Sequence, residues 1–121
     1  DVSGVAVIIG LTGYPQGRAI FYLNAETTKK FAAIMLGEDN IDNVSEDEAI
    51  DSVEEAANII IGRGVSNINN IFKDKEMRIT PPGTISGSNI RIASPKLTTF
   101  RVEAKTHAGS IFVNIGFAEG D

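Results

Sequence analysis

The sequence predicts an α+β domain: a mostly antiparallel sheet with a long central helix and a second, shorter helix packed on it. Three observations carry this. β-rich runs lie at both ends of the chain and are separated by turn clusters. A capped helical pattern without proline fills the middle. A shorter capped pattern sits between the first two strands and that long helix. With 121 residues, 42% of them hydrophobic, the chain reads as a single domain, residues 1–121, long enough to bury a core.

"SGVAVIIGL" and "GRAIFYLN" flank the turn cluster "TGYPQG" and read as a hairpin. Asn24 then caps the helix "AETTKKFAAIML", which Gly37 terminates, and the polar "GEDNIDNV" is a loop. Ser45 and Glu48 form a capping box, each satisfying a free amide of the other at the helix start. From there the pattern continues to about Phe72, roughly 40 Å of helix at 1.5 Å per residue. Ile50, Val53, Ala57, Ile60, Gly64, Ile68 and Ile71 fall on one stripe, expected to be the buried face, with Gly64 allowing close packing. A short strand, "EMRIT", follows. "SNIRIA", "LTTFRVEAK" and "SIFVNIGF" then read as strands split by "SPK" and "THAG".

Composition narrows the function. The net charge of −5 argues against a nucleic-acid or anionic-membrane surface. There is no cysteine, hence no disulfide, no thiolate metal site and no thiol nucleophile, which fits a cytoplasmic setting. The opening apolar run is far too short to span a bilayer and reads as a strand, and the chain does not begin with Met, so a trimmed N-terminus is expected. The one histidine, His107, reads as part of a polar turn. "GLTGYPQG" lacks the Gly-Lys-Ser/Thr ending of a phosphate loop. Lys29-Lys30 and the mixed-charge "KDKEMR" read as solvated surface, and no residue cluster suggests a metal site.

A second stripe on the long helix is chemically more specific. Asp51, Glu55 and Asn58 are spaced four and three apart, Gly62 and Ser66 continue the line, and it runs roughly opposite the apolar stripe. Asn is a poor helix former, and Gly62 costs about 1 kcal/mol against Ala in a helix interior. A solvated face explains the asparagine, whereas Gly62 faces outward, where an absent side chain leaves room for a partner to approach. An exposed glutamate is a good ion-pair acceptor, and an asparagine amide, neither acid nor base, offers a donor and an acceptor able to hold a water in a chosen direction.

The pattern Asp51-x3-Glu55-x2-Asn58, followed after 22 residues by Pro81, resembles the signature of the CheC/CheX/FliY chemotaxis phosphatases. "ITPPGTISG", the hairpin "IIGLTGYPQGRAIFYL" and the order of elements are similar to the CheX branch, and the motif occurs once here where CheC carries it twice. The resemblance implies a CheC-like fold and dephosphorylation of the phosphoaspartate of a CheY-type response regulator. Asn58 would orient the attacking water and Glu55 would pair with the regulator's active-site lysine. Asp51 would shape or solvate the surface, and Pro81 would stiffen a loop after the helix. It further implies no cofactor of the chain's own, the Mg²⁺ being supplied by the regulator, and a homodimer joined at sheet edges. CheX members usually begin with a helix before the first strand. None is visible here, so a truncated N-terminus is expected, and only a true absence of that helix would leave part of one sheet face uncovered. A different class of reading is a non-catalytic interaction module of the same fold, as in flagellar switch proteins.

Overall fold

The computed structural model describes residues 4–13, 16–71, 76–87 and 97–118. The elements run β1 (Gly4–Gly13), β2 (Gly17–Asn24), α1 (Ala25–Leu36), α2 (Glu46–Ile71), β3 (Met77–Ile79), β4 (Gly83–Gly87), β5 (Leu97–Thr106) and β6 (Gly109–Ala118). The strands form one antiparallel sheet in the order β3-β1-β2-β6-β5, with β4 also pairing with β1.

The predicted α+β class and its local signals hold. Asn24 accepts a 2.8 Å hydrogen bond from the Thr27 amide at the start of α1. Gly37 ends the helix in the left-handed region, at φ 69°, where a side chain would be strained. The Ser45 amide donates to Glu48 Oε1 at 3.0 Å and the Glu48 amide to Ser45 Oγ at 3.1 Å, closing the capping box. The Ser45 amide first, and the Ser45 hydroxyl second, hold the exposed Glu48 carboxyl below its ordinary range. The loop before α2 contains a 3₁₀ turn, Ile41–Asn43, capped by Asn40. The expected strand "SNIRIA" lies outside the described residues, as do Phe72 and the lysines of "KDKEMR".

Val5, Val7, Ile9 and Leu11 of β1 and Ala19, Phe21 and Leu23 of β2 alternate onto one face and form the core with α2. A second cluster, Ala32, Ala33, Val44 and Ala49, joins α1 to the start of α2.

The buried stripe of α2 departs from expectation. Val53 and Ala57 are buried, and Ile50 and Ile68 pack partly against the core. However, Ile60 is 55% exposed and Ile71 72%, and Gly64 is exposed, with nothing within 4 Å of an added Cβ. The buried line is Ala49, Val53, Ala57, Ile61 and Val65, in steps of four. Four residues turn the helix by about 400°, so this line creeps around the axis by about 40° per step. Of Ile59, Ile60 and Ile61, only the last lies on it.

β4 was not among the expected strands, its glycines and the two prolines before it having little strand preference of their own. β3 and β4 lie end to end along the same edge of β1. Leu11 faces Ile79 and Ile8 faces Gly83, three steps on β1 against four on its partner. The Thr80 amide donates to the Gly10 carbonyl at 2.9 Å, so Ile9 alone stands opposite both Pro81 and Pro82. This is a β-bulge, one of the few places in a sheet where residues without an N–H fit.

Candidate functional site on helix α2

Asp51, Glu55 and Asn58 are all exposed, on one face of α2 at helical spacing. None of their side chains hydrogen-bonds or ion-pairs with another described residue. The helix thus carries two carboxylates and an amide outward with their hydrogen-bonding capacity turned to solvent.

Asn58 also lines a shallow, open groove of about 570 Å³, together with Ile59, Gly62, Arg63, Ser66, Asn67 and Ile79. Ile59 is 47% exposed. Ile79 pairs with Leu11, which faces the helices, and this turns Ile79 toward α2. Glu55 lies less than one turn before Asn58 and Asp51 about one turn before Glu55, neither lining the groove. The groove therefore has an apolar floor, amides at its rim and one cation, Arg63.

Gly62 is half-buried rather than fully outward, because the creeping buried face has come round beside it. An added Cβ would stand 3.9 Å from Ile79 Cδ1, an ordinary contact, so the position admits a methyl group. Pro81 is exposed at the bulge, two residues beyond Ile79, and does not line the groove. It interrupts the edge of the sheet and is not in a free loop after the helix.

Sequence reasoning missed Ile59, Arg63, Asn67 and Ile79 as groove residues, and it missed Asn69. The Asn69 Nδ2 donates to the Met77 carbonyl at 2.9 Å, and the Met77 amide donates to Asn69 Oδ1 at 2.9 Å. The signal available was the run "SNINN" near the end of α2: three asparagines where propensity disfavours them. Among the described residues no group of three or more His, Asp or Glu converges as a metal site, and no helix is long and apolar enough to cross a membrane. His107 is exposed in the two-residue turn between β5 and β6.

Comparison with known proteins gives this arrangement a context. The chain is 28% identical over 90 residues to the CheY-P phosphatase CheX of Thermotoga maritima, covering 74% of this chain and 56% of that protein. The match therefore spans little more than half of the relative's length. The structure superposes on CheX in the CheX-CheY-BeF3-Mg²⁺ complex from Borrelia burgdorferi with a TM-score of 0.79 and 29% identity, covering 98% of this chain and 79% of that one. CheX from Desulfovibrio desulfuricans shares the fold, with a TM-score of 0.81 at 20% identity, over 98% of this chain and 77% of that one. The family model described as chemotaxis phosphatase CheX matches residues 5–104, which span the hairpin, both helices and the Asp51-Glu55-Asn58 stripe. The chain belongs to the CheX family.

Proposed function

We propose that this chain dephosphorylates the phosphoaspartate of a CheY-type response regulator, with Glu55 and Asn58 entering the regulator's active site. The observation that carries the reading is the outward stripe of Asp51, Glu55 and Asn58, unused within the fold, on a chain of this family.

In this reading Asn58 holds a water in line with the phosphorus. The water oxygen bonds to phosphorus as the bond from phosphorus to the aspartyl oxygen breaks. The aspartate leaves as a carboxylate, and the protons of the water stay with inorganic phosphate and solvent. The Asn58 amide exchanges no proton. Its contribution is position, as with the glutamine that orients water in GTPases. Glu55 pairs with the regulator's active-site lysine and fixes the docking register. Asp51 and Gly62 shape the surface on either side. The Mg²⁺ is the regulator's, so the chain needs no cofactor of its own, and a cytoplasmic location follows from that partner.

A homodimer joined at sheet edges belongs to the same proposal. β5 pairs only with β6 among the described strands, and on its helix-bearing face Phe100 and Val102 are 58% and 54% exposed.

The test is the decay of a phosphorylated CheY-type receiver with and without the chain. Acceleration that disappears in Asn58→Asp, which keeps the size but replaces the amide by a charge, is the expected result. Binding without acceleration would instead assign a non-catalytic interaction module.

A further inference from the structure

We infer that Asn69 is a positioning residue for the Asn58 groove, holding strand β3 at the distance from α2 that the docking partner requires. The inference rests on the phosphatase reading and deepens it.

Asn69 is the next four-residue step after Ala49, Val53, Ala57, Ile61 and Val65, so the helix aims it where an apolar side chain would be expected. An amide half-buried there loses water and must find partners within the fold. It finds both on one residue. Donating to the Met77 carbonyl and accepting from the Met77 amide, it presents to β3 the same donor and acceptor that a neighbouring strand would. Only a primary amide of this length supplies both groups at one place.

β3 is three residues long and pairs with β1 throughout, from Met77 opposite Gly13 to Ile79 opposite Leu11, and just beyond its far end two further bonds tie the chain to β1. The Thr80 amide donates to the Gly10 carbonyl and the Gly10 amide donates to Thr80 Oγ1, each at 2.9 Å. Immediately beyond, the Pro81–Pro82 bulge breaks the ladder, so β4 transmits little order to β3. Asn69 is thus the tie on the helix side of a short strand. Between the two ties stands Ile79, whose side chain lies against Gly62 and forms the strand-borne part of the groove beside Asn58. Releasing Met77 lets Ile79 move relative to Asn58, although no atom of Asn69 lines the groove.

The experiment compares wild type, Asn69→Ala, Asn69→Asp and Asn70→Ala, the last an exposed neighbour without this pair of bonds. Each is measured for receiver dephosphorylation, for affinity toward a receiver carrying beryllofluoride, and for hydrogen exchange at the Met77 amide. Asn69→Ala should raise KM and Kd at least tenfold while kcat per folded molecule stays within about threefold. Met77 exchange should accelerate at least tenfold in parallel. Asn69→Asp keeps the acceptor for the Met77 amide but loses the donor, so it should fall between alanine and wild type. Asn70→Ala should match wild type. A merely structural role would lower the folded fraction and leave KM and Kd unchanged, which overturns the inference. If Asn69→Ala does not fold, Asn69→Asp decides by the same split. A wild-type chain that neither binds nor dephosphorylates the receiver removes the phosphatase reading, and the inference with it.

Discussion

Gly109 lies against Thr27: a Cβ added to the glycine would overlap the threonine hydroxyl. Gly109 opens β6 after the His107–Ala108 turn with φ 131°, and Thr27 sits buried in the first turn of α1. The far end of the β5–β6 hairpin is thereby seated on the helix that follows β2. Gly109→Ala combines a strained backbone with an overlap against a buried side chain and should cost about 1–3 kcal/mol. Thr27→Ala removes the overlapping hydroxyl, so the double variant should recover part of that loss. Denaturant unfolding of the four proteins in a double-mutant cycle checks it, and strict additivity would contradict the contact.

Asn58 and Glu55 should fail in different ways. Asn58→Ala sits on an exposed helix position where alanine is the better helix former. Stability should be unchanged or improved by at most about 0.7 kcal/mol, while kcat falls by orders of magnitude. Glu55→Ala removes an ion pair to the partner, so weakened affinity should make up a larger share of its defect. Steady-state kinetics alongside thermal unfolding separates the two, and equal KM effects would argue against distinct roles.

The β5 edge should govern association. Light scattering at tens of micromolar should show a dimer. Val102→Lys, which puts a charge on an exposed edge position, should shift it toward monomer without unfolding the chain. A wild-type monomer at that concentration would remove the dimer.

The start of α2 should respond to acid with a definite sign. Hydrogen bonds from Ser45, backbone first and side chain second, depress the Glu48 carboxyl below its ordinary value of 4.5. A carboxyl depressed in the folded state adds stability that is fully present above its unfolded value and is lost as pH falls through the folded one. Lys30 depresses Glu26 in the same direction, through a 2.9 Å ion pair on α1. The measurement is therefore the difference in melting temperature between wild type and Glu48→Gln. That difference should favour wild type at neutral pH and shrink as the pH drops below about 4.5.

Sequence legibility followed how local each interaction was. The cap at Asn24, the stop at Gly37 and the Ser45–Glu48 box are bonds between residues a few positions apart, and each could be read from residue types alone. The outward stripe on α2 was readable for the same reason. The buried stripe was not, since Ile59, Ile60 and Ile61 are equally apolar and only the angle at which α2 lies on β1 selects Ile61. β4 was illegible because its glycines and serine have little strand preference of their own, and it is a strand because β1 offers it an edge. The groove needed both kinds of information. Asn58 could be picked out by its awkward place in a helix, but Ile79 reaches it only through the pairing of β3 with β1 and the amide of Asn69.

The bulge at Pro81–Pro82 sets a parity. Side chains alternate along a strand, so Ile79 and Ile85, six residues apart, would share a face in an uninterrupted one. The extra residue separates them. Ile79 pairs with Leu11 on the helix side, whereas Ile85 pairs with Ala6 on the opposite face and is 42% exposed. Thr84 goes to the helix side instead, where its hydroxyl is buried without a hydrogen-bond partner among the described residues. Deleting one proline would exchange these faces, putting Ile85 inward and returning the Thr84 hydroxyl to water. Insertions or deletions of one residue at this point therefore rewrite an entire strand face, while changes of two residues leave it as it is.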